Sequence, residues 1–516
     1  MSKIKILDCT LRDGGYYTNW DFEKSVVEKY IDATNVLPVD YIEIGYRNKP
    51  QSSYMGKYSY CPVFELQHIR QKSCKKISIM LDEKDVECSD IDKLLLPITG
   101  LADMVRIAVS PENFDRAIAL AKMIKEVGFE VGFNVMYMSK WKDYNGFYDQ
   151  IKSVNEVVDV FCMVDSYGSV SPKEVSEITQ SVKKKLTCAV GFHGHNNLEM
   201  GLANTLAAIE NGVDCVDATI LGMGRGAGNL KTELLLTYLN KHYNYKVDFN
   251  VLGDVITAFS DLLKKHEWGT NLPYMISGAN SLPQKDVMDW VTTRFYSFNS
   301  IIRALENQKN NVEDNDKYPV IEVKKHNEVI IIGGGAGAIE HADGIKEFVK
   351  LKKDICIIHA SSKNAKYYKD LNVPQIFCLV GNEGHRMEKV FEDLGGFKGI
   401  CVLPPYPRKM GTYVPSVIKE KTFELKNVNF TDKYKDSHTA LALQTALILE
   451  AQKVYIVGYD GYVMDEVVTQ KERELTAENN YLFNLISSKL ELLSVTPTNY
   501  RDIKIQSVYA FLTDEE

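Results

Sequence analysis

Two histidines at the end of an apolar run are the first residues that point to chemistry. His193 and His195 follow the apolar residues 188–190 and precede a stretch, 199–211, that has the periodicity of a helix. Residues i and i+2 of a strand lie on one face, so both imidazole rings can reach one ion at the strand's end. The spacing therefore predicts a divalent metal ion, against the alternative of two hydrogen-bonded histidines in or beside the core.

A carboxylate for the same ion stands near the N-terminus. Segment 8–15 is typical of a strand that runs into a glycine-rich turn, and it contains Asp8, Arg12 and Asp13. Nitrogen and oxygen ligands together suit a divalent ion. For Asp8 a second interpretation stays open, in which it caps the turn below Arg12 and binds no metal.

The elements that must position these residues form a repeating pattern. Short β-branched runs alternate with stretches in which apolar residues recur three and four positions apart. We expect strands at 4–8, 41–45, 77–81, 104–109, 131–136, 160–164, 189–192 and 215–220. Eight repeats in about 230 residues predict a TIM barrel, whose active residues lie at the C-terminal ends of the strands.

Polar residues stand within or after several of these strands. Glu43 lies between two isoleucines, and since an unpaired buried carboxylate is costly, we expect Arg12 to be its partner. Arg106 and Asn134 are expected to be hydrogen-bonding groups of the barrel interior.

A glycine-rich loop, 222–229, follows the eighth strand. It lacks the Lys-Ser/Thr pair of a phosphate-binding P-loop. We interpret it as a tight crossing that brings Asn229 to the mouth of the barrel.

Three of these motifs, 8–14, 193–196 and 224–229, together resemble the DRE-TIM (HMGL-like) metallolyase superfamily. Its members include hydroxymethylglutaryl-CoA lyase, isopropylmalate and homocitrate synthases, and 4-hydroxy-2-oxovalerate aldolase. The resemblance covers about residues 1–300 and is closest to the pyruvate-releasing aldolases. It implies Arg12 as the catalytic arginine and a Mn²⁺ or Mg²⁺ site formed by Asp13, His193 and His195 with Asn229 at or near the coordination sphere.

This chain differs from the hydroxy-oxovalerate aldolases at the position of the general base. Hydroxy-oxovalerate aldolases carry a histidine three residues after the metal aspartate, where this chain has Tyr16. A free tyrosine has a pKa of about 10, so Tyr16 needs its phenolate stabilised by the metal or by Arg12 to act near neutrality. Tyr16 as base or as substrate-binding group, Tyr17, and a metal-bound hydroxide all remain alternatives.

The chemistry follows from these groups. A 2-oxo acid can chelate the ion, which then acts as a Lewis acid for charge on the C2 oxygen, while Arg12 adds a fixed cation. We predict a carbon-carbon lyase of aldolase type that cleaves a 4-hydroxy-2-oxo acid to pyruvate enolate and an aldehyde, or condenses them, with Arg12, Tyr16 and Glu43 as catalytic residues. An acyl-CoA-using Claisen-type lyase or synthase of the same superfamily is the alternative.

The rest of the chain predicts further domains. Residues 1–240 are the barrel, 241–310 a helical extension over it with helices at 252–265 and 287–306, 311–320 a polar linker, and 321–516 a Rossmann-like α/β domain. In related aldolases the extension carries a proton-donating tyrosine, so Tyr274 is either this donor or a packing residue.

In the last domain we expect strands at 328–332, 355–359, 376–380, 400–403 and 454–457. A glycine-rich turn, 333–338, and a helix, 339–351, follow the first of them, a layout that predicts an anionic group at the helix N-terminus. The second strand lacks the acidic residue of a dinucleotide fingerprint, which argues against NAD and against a dehydrogenase that consumes the aldehyde.

The turn at 333–338, together with segments 360–362 and 457–460, resembles a bacterial glycosyltransferase-like domain related to motility accessory factors. The resemblance implies a nucleotide or nucleotide-sugar ligand, near His438 and Asp460, and a bifunctional protein of surface-glycan biosynthesis. A scaffold or dimer contact is the alternative role.

Composition limits the partners. The 516 residues carry a net charge of −8 without a long basic block, so neither nucleic acid nor an anionic membrane is expected as a partner. No signal-peptide h-region or membrane-length apolar run occurs, and most of the ten cysteines lie in strand-like runs, which predicts a cytoplasmic protein with reduced, buried thiols. The superfamily suggests a homodimer.

Overall fold

The computed structural model describes residues 3–52, 54–292, 296–313, 316–408, 410–462, 470–501 and 503–513. The chain forms two compact units, Met1–Met288 and Asp289–Glu516. Each unit has its own parallel sheet and its own cores.

The first unit contains a closed, parallel barrel, as the sequence predicts. Its strands are β1 Lys5–Asp8, β2 Tyr41–Tyr46, β3 Lys76–Asp82, β4 Met104–Val109, β5 Glu130–Val135, β6 Val160–Asp165, β7 Ala189–Gly194 and β8 Cys215–Ala218. The helices along this part of the chain are α1 Thr10–Thr18, α2 Lys24–Val36, α3 Val63–Lys72, α4 Ile91–Leu95, α5 Phe114–Val127, α6 Phe147–Gln150, α7 Pro172–Lys183, α8 Gly201–Glu210 and α9 Thr232–Tyr243.

The barrel strands are apolar because both of their faces are buried. Every residue of β2 and β4 is buried, as expected for parallel strands that helices cover on the outside and side chains fill on the inside. Glu43 and Arg106 are the charged exceptions within these two strands, and both are fully buried. A charge in such a position requires a partner, and the network described below supplies it.

The first motif differs from its predicted form. Residues 10–18 form helix α1, where a glycine-rich turn was expected. Gly14 and Gly15 are helical because neighbouring side chains occupy the space of a Cβ: one at Gly14 would lie 2.5 Å from the Met223 sulfur, and one at Gly15 would lie 2.1 Å from the Trp20 ring. Close packing, not a turn, explains these two glycines.

Four helices follow α9, namely α10 Phe249–His266, α11 Leu272–Ala279, α12 Gln284–Thr292 and α13 Phe298–Lys309. The single helix expected at 287–306 is therefore two, and residues 293–295 between them lie outside the described part. The boundary between the compact units, at 288/289, also differs from the expected one. α13 belongs to the second unit, where Arg303 donates to Asn382 Oδ1 (2.6 Å); the remaining domain boundaries stay predictions.

The second unit contains a parallel sheet, which confirms an α/β domain. Its strands are β9 Glu328–Ile332, β10 Ile355–His359, β11 Gln375–Cys378, β12 Ile400–Leu403, β13 Thr422–Glu424, β14 Lys453–Val457, β15 Glu491–Ser494 and β16 Lys504–Ile505. Their order in the sheet is β13-β12-β11-β10-β9-β14-β15-β16. The helices are α14 Gly337–Glu340, α15 Ala342–Leu351, α16 Glu383–Phe391, α17 His438–Ile448 and α18 Gln470–Ile486.

Strands β13, β15 and β16 were not predicted, and the helix expected at 339–351 is divided at His341 into α14 and α15. Apolar residues pack on both sides of the sheet in separate clusters, which explains the apolar runs of its central strands. Within the described ranges, no helix has the length and apolar character needed to cross a membrane.

Candidate active site

Asp8, at the end of β1, holds the start of α1. It accepts hydrogen bonds from the Thr10 backbone N–H (3.0 Å), the Tyr30 hydroxyl (2.8 Å) and the Thr232 hydroxyl (2.6 Å). Its carboxylate is thus used within the protein, which supports the capping interpretation over direct metal binding. The consequence is a fixed orientation for the charged residues on the first turn of α1.

Arg12 and Asp13 form a buried charge cluster on that turn. Arg12 Nε donates to Glu43 Oε2 at 2.7 Å, as predicted, and Arg12 also pairs with Asp13. Burial tends to raise the pKa of Asp13, but the charges of Arg12, His193 and His195 outweigh it and hold this pKa below its usual value. Asp13 is therefore an anion at neutral pH and remains a suitable metal ligand.

The described residues contain one group of three potential metal ligands at this site, Cys9, Asp13 and His193, whose ligand atoms lie within 4.8 Å of one another. His193 Nε2 lies 3.6 Å from Asp13 Oδ2, too far for a hydrogen bond. Asn229 donates to the same Asp13 oxygen at 2.6 Å, while its buried Oδ1 has no hydrogen-bond partner among the described residues. A buried oxygen without a donor beside a carboxylate and an imidazole fits a bound cation.

His195 lies beside this group, and its ring centroid is 5.0 Å from that of His193. Its Nδ1 is 2.8 Å from the Asp165 carbonyl oxygen, which fixes the ring and leaves Nε2 as the nitrogen for a ligand bond. Burial, with the neighbouring charges of His193 and Arg225, lowers the pKa of His195 to about 3. A neutral imidazole of this kind can bind a metal, so the predicted role stays open to test.

Asp217 was missed in the sequence, although it is an acidic residue in the apolar run of β8. Its Oδ2 accepts from Arg106 (2.7 Å) and lies 2.9 Å from His193 Nδ1. Burial tends to raise the pKa of Asp217, and Arg106 and His193 lower it to about 2. An ionised Asp217 holds the tautomer of His193 in which Nε2 is free to bind an ion.

Arg106 joins these charges into one interior network, as expected. Its Nε donates to Asn134 Oδ1 (2.6 Å), and its other nitrogens contact Asp217 and Glu43.

Cys9 is a potential metal ligand that the sequence analysis missed. Its burial raises the pKa of the thiol well above the usual value, so Cys9 is a neutral thiol and a poor ligand for a hard cation.

The tyrosines of α1 occupy different environments. Tyr16 is half-buried, with its hydroxyl 3.3 Å from that of Tyr46, and burial raises the pKa of Tyr46 well above its usual value. Tyr17 instead donates to the Gly226 carbonyl oxygen (3.0 Å), and burial raises its pKa to about 12. Tyr274 is buried and hydrogen-bonds Tyr17, which places it in the packing around the 222–229 loop.

In the second unit, the chain itself supplies the anion expected at the glycine-rich turn. Asp460 Oδ2 accepts from the Gly337 backbone N–H at 3.0 Å. A Cβ at Gly335 would lie 2.5 Å from the same oxygen, while Asp460 Oδ1 is buried without a hydrogen-bond partner among the described residues.

A separate cavity of about 330 Å³ lies after β11 and β12. Within it, the buried Glu383 contacts Arg386 (3.0 Å) and His438 (3.3 Å). A nucleotide or nucleotide-sugar ligand for this unit stays a prediction.

Comparisons with known proteins match the first unit to known aldolases. Residues 97–258 match the HMGL-like family model. A 4-hydroxy-2-oxovalerate aldolase from Geobacillus thermodenitrificans is 32% identical over 252 residues, or 46% of this chain and 70% of the relative. Another, from Pelotomaculum thermopropionicum, is 30% identical over 271 residues, or 51% of this chain and 78% of the relative.

A solved structure is more similar in sequence. The crystal structure of the N-terminal domain of a candidate aldolase from Bacteroides vulgatus is 63% identical, with a TM-score of 0.56, and covers 58% of this chain and 100% of that domain. The family match and the aldolase relatives, together with the closed barrel, support a TIM-barrel lyase of aldolase type. The chain belongs to the 4-hydroxy-2-oxovalerate aldolase family of the HMGL-like (DRE-TIM) superfamily.

Proposed function

We propose that the barrel is a Mn²⁺- or Mg²⁺-dependent aldolase that interconverts a 4-hydroxy-2-oxo acid with pyruvate and an aldehyde. The observation that carries the proposal is the buried Asn229 oxygen that lacks a donor next to Asp13 and His193. The names of the curated relatives supply the substrate class.

The ion's ligands would be Asp13, His193 and His195, with Asn229 beside them. A divalent ion bound there supplies a Lewis acid for the keto and carboxylate oxygens of the 2-oxo acid. The carboxylate of Asp13 and the amide oxygen of Asn229 suit Mn²⁺ or Mg²⁺, and the thiol of Cys9 stays protonated and adds no soft ligand.

Arg12 provides the second positive charge at the reacting centre. Its guanidinium is held by two carboxylates, Glu43 and Asp13, inside the barrel, so its donors are fixed before substrate binds. A preorganised cation of this kind stabilises the negative charge that develops on the C2 oxygen during cleavage. Glu43 accepts hydrogen bonds from Arg12, Arg106 and Ser78, so we assign it a positioning role.

Tyr16 is our choice for the general base that takes the proton from the 4-hydroxyl. Its hydroxyl is half-buried and lies 3.3 Å from the Tyr46 hydroxyl, which can hydrogen-bond it. Tyr17 is less suited because its hydroxyl is committed to a backbone carbonyl.

Exchange of the pyruvate methyl protons in deuterium oxide, followed by NMR, tests the proposal without knowledge of the aldehyde. We expect metal-dependent exchange that Arg12→Ala and His193→Ala each reduce by at least about a hundredfold. His242→Ala, at an exposed histidine of α9, is the matched control and should exchange normally. Absence of exchange in a folded protein that binds Mn²⁺ would contradict the proposed substrate.

A further inference from the structure

Arg225 is an unusual arginine of the first unit. Among the described residues 3–288, the other arginines each donate to a carboxylate or a carbonyl oxygen, namely Arg12, Arg47, Arg70, Arg106 and Arg116. Arg225 is half-buried, lies over the Tyr16 ring at 5.5 Å, and makes no hydrogen bond or ion pair within the described part of the chain. A partly desolvated guanidinium without an acceptor is costly unless a ligand provides one.

The loop that carries Arg225 is tied to the proposed metal centre. A Cβ at Gly224 would lie 2.8 Å from the Asn229 amide, and Asn229 in turn donates to Asp13. Tyr17 of α1 donates to the next residue, Gly226. The position of the guanidinium is therefore set by the same residues that set the metal site.

A second cation without an anionic partner lies in another loop at the mouth of the barrel. Lys140, in the turn after β5, is half-buried, with its Nζ 5.7 Å from the Tyr167 ring centroid. It forms no ion pair with any residue that the structure describes. The charge of Arg225 also acts on Tyr167, which follows β6.

The carboxylates near the mouth are already in use. Asp13 and Glu43 are paired with Arg12. Asp165 accepts from the backbone N–H groups of Ser169 and Val170. The cations at Tyr16 and Tyr167 therefore have no anionic partner among the described residues, and uncompensated cations attract anions.

We propose that Arg225, assisted by Lys140, binds an anionic group on the aldehyde substrate, either a carboxylate or a phosphate. This inference rests on the proposed aldolase function and adds the substrate class to it. Arginine suits the role because its planar donors can engage either anion in a bidentate manner. A small apolar aldehyde would leave both cations without a partner.

The test compares aldehydes of equal carbon length in the aldol addition of pyruvate. Succinic semialdehyde is paired with butanal, and glyceraldehyde 3-phosphate with glyceraldehyde, so that the two anions are separated. We expect the wild type to prefer one anionic member by at least about tenfold in kcat/KM. Arg225→Ala should lose roughly 10- to 100-fold for that aldehyde and less than about threefold for its neutral partner.

The controls separate binding from catalysis. Arg225→Lys should retain part of the preference, Lys140→Ala should lose a smaller part, and Lys142→Ala, an exposed neighbour, should change nothing. Calorimetric titration with succinate and with inorganic phosphate measures anion binding without turnover, and Arg225→Ala should abolish it.

Each outcome has a separate meaning. Equal losses for charged and neutral aldehydes, or a slower pyruvate exchange in Arg225→Ala, would overturn the inference, since Arg225 would then serve pyruvate. If the wild type exchanges no pyruvate protons but binds succinate or phosphate through Arg225, the aldolase proposal fails and the anion site stands. If Arg225→Ala leaves anion binding unchanged, the anion site fails.

Discussion

Two glycine-rich loops, each after a parallel strand, differ in how the chain satisfies the polar groups around them. The 222–229 loop of the first unit brings an oxygen without a donor, on Asn229, and a cation without an acceptor, Arg225, to the barrel mouth. The 333–338 loop of the second unit has its backbone N–H at Gly337 satisfied by Asp460. Glycine allows the backbone of both loops to pass close to neighbouring side chains. The groups that surround each loop decide whether a ligand is needed.

The buried charges of the two units show the same contrast. In the barrel, Arg12, Arg106, Asp13, Asp217 and Glu43 compensate one another and converge on His193. In the second unit, Glu383 is compensated locally by hydroxyls, a backbone N–H and two basic side chains. The first arrangement orients groups toward one point, and the second compensates a single carboxylate that lines the cavity after β11.

The largest effect is expected from Asp217→Ala. It leaves the buried Arg106 without its 2.7 Å partner, and loss of one member of a buried pair costs about 3–5 kcal/mol of unfolding free energy. It also frees His193 Nδ1, so Mn²⁺ affinity should fall by about 10- to 100-fold. Denaturant unfolding and Mn²⁺ titration measure the two effects. Asp261→Ala, at an exposed aspartate of α10, is the control. If Asp217→Ala and Asp261→Ala had equal unfolding curves, the buried charges would not form a cooperative network.

A smaller, pH-dependent effect is expected from Glu383→Gln. Burial tends to raise the pKa of Glu383, but His438, Arg386 and Ser362 lower it to about 2. A carboxylate with a depressed pKa stabilises the fold above its unfolded pKa and loses this contribution as the pH falls toward 2. The variant should therefore be less stable by on the order of 3 kcal/mol at pH 7.

The deficit of Glu383→Gln should shrink between about pH 4.5 and pH 2. Calorimetric unfolding at pH 7 and pH 3 checks this, with the exposed Glu392→Gln as the matched control. A deficit that is the same at both pH values would mean that the side chain's shape, not its charge, stabilises the unit.

The sequence predicted the central strands well and the peripheral elements poorly. β4, β9, β10 and β12 have the predicted ends because burial on both faces makes them continuous apolar runs. β13, β15 and β16 are short and lie toward the edges of the sheet, where few residues carry the pattern. Helix α1 was missed because Gly14 and Gly15 are typical of a turn, and only the packing of distant side chains explains them.

The sequence predicted those site residues that lie within local motifs. Asp13, His193 and Asn229 come together as expected, and Glu43 pairs with Arg12. The role of Asp217 depends on a contact across neighbouring strands to His193, which the sequence alone does not give.

The smallest effect is expected at the glycine-rich turn of the second unit. Asp460→Ala removes the acceptor of the Gly337 N–H, and loss of a capping carboxylate costs about 1 kcal/mol. Asp460→Asn keeps an acceptor oxygen and should cost less. Thermal unfolding in a buffer without phosphate compares the two variants.

If Asp460→Ala were as stable as the wild type, Asp460 would not be needed at this turn. The contrast with the 222–229 loop would then disappear, because both loops would contain polar groups that await a ligand. An intermediate stability for Asp460→Asn, between the wild type and Asp460→Ala, would show that the turn needs an acceptor and that the chain provides it. The barrel loop would then remain the one of the two that carries a charged side chain, Arg225, without a partner among the described residues.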